Sequence, residues 1–553
     1  MIQIQCIQGE KLKTLTLPQG TPAEALLPEW GTPEGTVAAV KVNNAMLPLA
    51  VLLQVNARVE PVLLASRDGA MIYRRSLAFL LALAANETFP GRGLRIGHSL
   101  GAGYYYTFAD EKRPAQADID ALSAAMAALA AQDLPINVYP LCYEEALALF
   151  EKTPATGTAG LLRYRNDRVV YVNECAGFAD LYTAPLTRST GVLRAFELRA
   201  YEDGFLLRFP HTGEGDYIGP FEDSPKIFAV YREYKKWGRI VGVHSVEGLN
   251  RLAADGDIRE YIRIAEAFQE KKLAEIADRI DAKKGAVKAV LIAGPSSSGK
   301  TTTAKRLSIQ LKVLGLDPIA ISLDDYYKDR KDTPLDEKGE PDYECLEALD
   351  VPFFNAQLLD LFAGREVTLP LFDFKAGRRR ADSGRRIRLE ERSVLVIEGI
   401  HGLNNALTPQ VPAGKTFRLY VSALTQLNLD DHNRIPTSDN RLIRRMVRDS
   451  QFRGAGAAQT FAMWPAVQQG ERVHIFPFQN SADAAFNSAL DYELAVLKFY
   501  AEPLLRSVKP DSPAYAEALR LLAFLENFAP IAPECVPGQS ILREFIGGSE
   551  FSY

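Results

Sequence analysis

Cysteine is scarce: five in 553 residues (Cys6, Cys142, Cys175, Cys345, Cys535), scattered and odd in number. No two stand at metal-ligand spacing, so a disulfide framework is not expected and a reducing compartment is. Long apolar runs are missing too. The longest, near Leu77 to Ala85, falls far short of the roughly twenty residues a bilayer helix needs. The opening MIQIQCIQGEKLKTLTL has no basic segment followed by an apolar one, so no signal peptide is expected. Neither charge dominates: 64 Lys and Arg face 69 Asp and Glu, a net −5. That argues against a polycation built to coat nucleic acid. No fixed-period repeat or low-complexity tract is visible. Together these absences give the expectation of a soluble, cytoplasmic protein with no membrane partner. What is present is ordinary globular composition, 47% hydrophobic and 24% charged. At roughly 150 residues per domain, the length calls for several domains.

The patterning divides the chain. Residues 1–65 read as short strands with turns (MIQIQCI, KTLTL, TVAAVKVN, ARVEPVLL), hence a small sheet. Ser76–Ala85 predicts a short buried helix. From about 85 to 225, helix and strand alternate: LRIGHSLGAGYYYTF predicts a strand pair, DIDALSAAMAALAAQ a helix, and VLRAFELRAY with GFLLRFP a hairpin. A charged helix is expected from about Val246 to Lys284. Beyond it, AVKAVLIAG (286–294), PIAISL (318–323), SVLVIEG (393–399) and TFRLYVS (416–422) are β-branched, apolar runs between helical stretches. Strands buried on both faces are what a parallel α/β sheet requires.

Gly294-Pro295-Ser296-Ser297-Ser298-Gly299-Lys300-Thr301 fits G-x-x-x-x-G-K-[ST], after a predicted strand and before a predicted helix. Such a loop curls backbone N–H groups around an anion, at a helix N-terminus that favours negative charge. Lys300 can then reach the β- and γ-phosphates of a nucleotide, and the Thr301 hydroxyl can ligate magnesium. Thr302 completes the run. Two acids follow at strand ends. Asp324, with Asp325 beside it, closes PIAISL, where a carboxylate can take the proton of an attacking hydroxyl. Glu398 closes SVLVIEG, where an acid can hold magnesium or its water. A helix cap or a surface acid is the structural alternative for each.

RLIRRMVRD places Arg441, Arg444, Arg445 and Arg448 on one helical face and Leu442, Ile443, Met446 and Val447 on the other. Arg453 follows. A solvated stripe is the plain reading; beyond a phosphate loop and its acids, a mobile arginine lid over transferring phosphate is the expectation. A second basic run, Lys375 through Arg392, carries eight basic residues against three acids.

GPSSSGKTT, SLDDYYKDR, LPLFDFKAGRR, VIEGIHGL and RRMVRDSQFRG resemble, in order and spacing, the uridine kinase and phosphoribulokinase family over about 285–500. The resemblance implies that Asp324 is the catalytic base and that Tyr327 follows it in the same element. It implies that Pro370, Phe372, Asp373 and Phe374 line a nucleoside pocket, and that Asp342 contacts the sugar. Lys300, Arg445 and Arg448 then serve catalysis, Gly294 through Thr302 hold ATP, Thr301 and Glu398 hold magnesium, and Arg453 touches substrate. Two family features depart: Gly377 stands near the expected histidine, and Gly454, Ala455 and Gly456 stand where a lid arginine belongs.

The front half resembles other modules. Residues 1–65 look like the TGS domain, a β-grasp fold. Residues 66–225 look like the second additional domain of threonyl-tRNA synthetase, with NECAGFAD at its C-x-G-P-H element. Of that domain's editing set only Cys175 survives; Arg75, Phe79 and Phe178 or Ala179 stand at the other positions, so editing chemistry is expected to be lost. His98 is read as a structural histidine. The expected fold is thus an α/β P-loop kinase domain (285–500) behind a β-grasp domain (1–65) and an α+β synthetase-like domain (66–225). A helical connector (226–284) joins them and a docking tail (501–553) ends the chain. The expected reaction is phosphoryl transfer from ATP, with Mg2+, to a small hydroxyl acceptor, uridine or cytidine first. Another small alcohol, an RNA-binding P-loop regulator, tRNA contact through the front domains, and a homo-oligomer stay open. D-E-K-G at 336–339 is too short a signal for a GTPase, and no N-K-x-D is present.

Overall fold

The structure is a computed structural model that describes all residues except 32–36, 154–155, 336–338, 340, 374–375 and 381–383. The first sheet runs, in space, Lys11–Leu17, Ile2–Gln8, Ala57–Leu63, Val37–Val42, Ala45–Leu47. Period-two alternation turns Ile2, Ile4 and Cys6 into its core. Asn43 and Asn44 both sit at positive φ (49° and 61°) and close the last hairpin, a conformation Asn tolerates.

A four-stranded antiparallel sheet follows, in the order Glu197–Tyr201, Gly204–Arg208, Gly103–Phe108, Leu94–Ser99. A three-stranded one pairs Asn137–Cys142, Val169–Cys175 and Phe178–Leu181. The expected strand pair and hairpin are both there. The expected short helix is the buried centre of a longer one, Arg67–Thr88. Ser66 starts it early, its side chain accepting from Gly69 N at 3.1 Å. Instead of one connector helix from 246, there are three: Pro225–Ile240, Val246–Asp255 and Ile258–Asp281. Gly256, at φ 88°, caps the second and breaks the run.

The C-terminal region is built on five parallel strands: β1 (Ala289–Ala293), β2 (Asp317–Ser322), β3 (Ser393–Glu398), β4 (Thr416–Ser422) and β5 (Ala484–Asn487). Their order is β2-β3-β1-β4-β5. Four of them are the apolar runs anticipated from sequence; β5, AAFN, is too short to announce itself. Helices α1 (Lys300–Val313), α2 (Thr437–Arg453), α3 (Ala457–His474), α4 (Glu493–Ser507) and α5 (Tyr515–Glu526) surround the sheet. One core joins Val290, Ile292, Leu307, Ile443, Leu497 and Leu521 to Leu273 and Ile276 of the third connector helix and to Ile541–Ile546 near the chain end. The front region meets this body through the segment 428–432. Ile96 N donates to Asp431 O at 2.9 Å, and Arg95 pairs with the Asp431 carboxylate at 3.1 Å.

Candidate functional site

The phosphate loop leaves β1 and enters α1. A Cβ at Gly294 would lie 1.9 Å from Val421 O, so only glycine lets the loop pass β4. Ser297 (φ 58°) and Gly299 (φ 80°) take left-handed conformations, which turn successive N–H groups inward as an anion nest does. Lys300 Nζ donates to the carbonyls of Gly294 (2.9 Å) and Pro295 (3.2 Å), folded back over its own loop. The hydroxyls of Ser297 and Ser298 are buried with no hydrogen-bond partner among the described residues. Buried hydroxyls without partners, a nest and a lysine together fit a phosphate chain.

Two carboxylates already take part of this loop. Ser296 N donates to Glu471 of α3 at 2.8 Å. Thr302, in the first turn of α1, donates its N–H (3.1 Å) and its hydroxyl (2.6 Å) to Glu544 near the chain end.

Asp324 lies in the turn Leu323–Tyr326 that leaves edge strand β2. Its side chain is exposed to solvent although protein surrounds it. Enclosure raises its pKa; Lys300, then Arg453 and Arg448, oppose the rise. Ser322 links the two strand-end acids: its hydroxyl accepts from Asp324 N at 3.3 Å and donates to Glu398 at 3.2 Å. Burial, with Asp324 next and Glu544 behind it, pushes Glu398 up to about 7. Glu344 is pushed up to about 7 as well, by burial and by Glu471, against Arg445 and Lys300. Several carboxylates therefore crowd one lysine, and an arriving cation would relieve them. Among the described residues no three His, Cys, Asp or Glu side chains form a ready metal cage.

The arginine helix differs from the expected free lid: α2 is packed onto the loop. Arg441 is buried against Glu471 (2.5 Å) and donates to Ser296 O at 3.1 Å. Arg444 is fully buried, held by Glu493 and by Ser488 O (2.9 Å), and reaches Ser297 O at 3.3 Å. These two are struts. Arg445 donates to the Ser296 hydroxyl at 2.8 Å, at the mouth of the loop. Arg448 pairs with Asp449 at 2.8 Å. Arg453 is mostly exposed, with Asp449 at 3.6 Å.

On the acceptor side, Tyr327 is buried against Phe372 (centroids 5.7 Å) and Tyr343 (5.8 Å), and its hydroxyl donates to Tyr343 O at 3.0 Å. Phe372 N donates to Asp325 at 3.2 Å, which ties this aromatic group to the Asp324 turn. Asp373 pairs with Arg380 at 3.3 Å within its own hairpin, and Asp342 accepts from Glu344 N at 2.9 Å. Phe374, and Asp336 through Lys338, lie outside the described residues. Lys300, Asp324, Glu398, Tyr327 and Phe372 thus share one neighbourhood, whereas Asp342 and Asp373 are engaged in local turns.

In the front region, three of the positions aligned with editing residues, Phe79, Cys175 and Phe178, share an apolar cluster, and Arg75 does not belong to it. Phe79 packs on Phe178 at 5.4 Å, and burial pushes the Cys175 thiol up to about 11. Arg75 donates to Pro185 O at 3.0 Å. His98 is buried and stacks on Tyr231 at 5.6 Å; burial pushes its pKa down to about 3. Sequence reasoning missed Glu344, Glu471, Glu493, Glu544 and Tyr553. None sits in a motif. Each acquires its place from a partner far along the chain, and only the apolar positions of ILREFI hinted that the tail docks.

Residues 289–495 match the family model of the phosphoribulokinase / uridine kinase family. Curated relatives of the chain include the threonine–tRNA ligase of Acidithiobacillus ferrooxidans, 34% identical over 163 residues, 29% of this chain and 25% of that protein. The ligase of Laribacter hongkongensis is 27% identical over 269 residues, 44% of this chain and 42% of that protein. The chain therefore spans a quarter to under half the length of these ligases. Among solved structures, one described as a "possible uridine kinase" from Bacillus stearothermophilus shares 22% identity over 38% of this chain and 100% of that one, at a TM-score of 0.25. D-glycerate 3-kinase from Cryptococcus neoformans shares 14% over 43% of this chain and 78% of that one, at 0.19. Residues 289–495 thus match the phosphoribulokinase / uridine kinase family model, and the region before them is similar to threonine–tRNA ligases.

Proposed function

We propose that the protein moves the γ-phosphoryl group of ATP to a hydroxyl of a small acceptor, with uridine or cytidine as the first candidates. The observation that carries this reading is the loop itself, with Ser297 and Gly299 left-handed, the Ser297 and Ser298 hydroxyls buried without partners among the described residues and Lys300 folded over it, while the Lys300 charge acts on the Asp324 carboxylate. A base beside the phosphate-binding lysine stands where an acceptor hydroxyl must enter. Asp324 takes the hydroxyl proton as the oxygen bonds to the γ-phosphorus; the bond from that phosphorus to the bridging oxygen breaks and ADP leaves. Lys300 exchanges its loop carbonyls for phosphate oxygens. Arg445 and Arg448 neutralise the charge spread over the transferring group. Magnesium, held through the Thr301 hydroxyl and Glu398, would supply further charge neutralisation. Five free cysteines agree with a cytoplasmic setting.

One observation favours a second reading: Glu471 and Glu544 already satisfy donors of the loop. A P-loop closed in this way could serve an RNA-responsive regulator, and the similarity of the front region to threonine–tRNA ligases makes tRNA the RNA to try. The test is incubation with magnesium and ATP across nucleosides and small alcohols, following ADP and phosphorylated product together. Turnover with one acceptor, lost in Lys300→Ala and cut at least a hundredfold in Asp324→Asn, is the expected result. ADP release that needs RNA and yields no phosphorylated acceptor would replace the kinase reading with the regulator.

A further inference from the structure

We propose that Glu544, backed by Tyr553, is a built-in plug on the phosphate-binding donors of the P-loop, so that this side chain and a bound nucleotide exclude each other. The inference rests on the reading that the loop binds nucleotide phosphate, and adds a control on that site.

The plug engages the donors a phosphate would use. The first-turn N–H groups of a helix have no partner within the helix and carry its partial positive charge. In α1 the Thr302 N–H is one of these. It donates to Glu544 Oε2 at 3.1 Å, and the Thr302 hydroxyl donates to the same oxygen at 2.6 Å. The Tyr553 hydroxyl lies 2.8 Å from that Thr302 hydroxyl. Lys305, one turn on, donates to Ser552 O, and its ammonium lies 5.3 Å from the centre of the Tyr553 ring. A carboxylate on the N–H groups of a helix start, ringed by a hydroxyl and a lysine, copies the contacts of a phosphate.

The segment that delivers Glu544 is anchored. Ile541, Leu542, Phe545 and Ile546 are buried in the core of the C-terminal region. Arg543 donates to Pro533 O (3.1 Å) and Val536 O (2.6 Å). Ile541 is placed so that a Cβ added at Gly299 would come within 2.6 Å of its side chain. Withdrawing four buried apolar side chains is too costly for a routine motion. What can move is the Glu544 side chain, which is only partly buried, and the last residues, where Tyr553 is 60% exposed. The plug therefore opens by rotation of one side chain and release of a short tail, while the backbone of 541–546 stays.

Electrostatics makes the exclusion mutual. Glu544 already acts on Glu398 across the site. Phosphate oxygens arriving at Thr302 would meet a carboxylate at hydrogen-bond distance from the same donors. The carboxylate must leave, and the nucleotide gives up part of its affinity to displace it.

The test measures ATP binding to the full chain by calorimetry, with and without magnesium, for the natural sequence, Glu544→Ala, Glu544→Gln and Lys300→Ala. Circular dichroism and thermal unfolding confirm that each is folded. Two charge-assisted hydrogen bonds compete in the natural sequence, so Glu544→Ala should bind ATP roughly tenfold to a hundredfold more tightly. Glu544→Gln, which keeps an oxygen acceptor without the charge, should gain less. Amide exchange at 549–553 should quicken when ATP binds. Equal affinity in the natural sequence and Glu544→Ala, with binding lost in Lys300→Ala, overturns the plug and leaves the P-loop reading standing. No ATP binding in any of the folded variants overturns both.

Discussion

Glu493→Ala should loosen α2 from the phosphate loop more than any other single change in this region. Arg444 is fully buried, and among the described residues its guanidinium has one carboxylate partner, Glu493, which it meets through Nε at 2.9 Å and again through its second terminal nitrogen. Its other contacts, Ser488 O (2.9 Å) and Oγ (3.4 Å), Ser297 O (3.3 Å) and the Phe545 ring (5.0 Å), orient the charge without cancelling it. Burial raises the pKa of Glu493, and Arg444 pulls it back only in part, so desolvation is the larger effect even in the intact pair. Removing the carboxylate leaves a buried cation, a loss of about 3–5 kcal/mol. The assay is urea denaturation followed by the emission of Trp464, buried 5.4 Å from the Arg441 guanidinium, with Trp30 and Trp237 replaced by phenylalanine. Arg444→Met combined with Glu493→Leu should recover most of the loss, because an apolar pair of similar volume has no charge to desolvate. A loss under about 1 kcal/mol in Glu493→Ala would refute the reasoning, since water would then be reaching Arg444.

Other consequences can be checked separately. Glu398 has a folded pKa of about 7 against an ordinary 4.5, so the folded state holds its proton longer and stability falls as pH rises from about 4.5 to 7. Glu398→Gln should match the natural sequence below that window and exceed it above, by chemical denaturation at about pH 4 and pH 8. His432 runs the other way in sign of charge. Asp180, 3.4 Å from its Nδ1, with Asp430 and Asp431, raises its pKa from 6.5 to about 9 despite burial. Its stabilisation is complete below 6.5 and lost as pH rises through 9, so the cost of His432→Gln should be largest near pH 6 and vanish near pH 10. Cys175, buried and pushed up to about 11, should resist a thiol reagent in the native protein, while exposed Cys142 reacts at once. Rapid native labelling of Cys175 would mean that the Phe79–Phe178 cluster opens.

Much of the C-terminal region was legible because its signals are local. The loop Gly294–Thr301 carries its glycines, lysine and helix start within eight residues, and β1 and β3 are continuous apolar runs buried along nearly their whole length, the mark of central strands in a parallel sheet. Asp324 and Glu398 were legible from strand ends, because a parallel sheet puts its ligands there. The arginine stripe was legible as a helix, yet its role was not. Helical spacing places Arg441, Arg444, Arg445 and Arg448 on one face but says nothing of what covers that face. Glu471 and Glu493, thirty and forty-nine residues further on, turn two of those arginines into buried struts.

The sequence by itself determined the phosphate loop, the parallel sheet, the strand-end acids and the likeness of the front region to a synthetase module. Each follows from short-range patterning that chain chemistry writes residue by residue. Tertiary structure alone decided which charges are free. It set Glu471 and Glu544 on the loop's donors, sank Arg444 beside Glu493, and closed the tail over Thr302 from 242 residues away. The physical reason is that the state of a charge depends on its surroundings in space. A carboxylate in water, against a guanidinium, or on a helix N-terminus is the same letter in the sequence, and only packing separates the three.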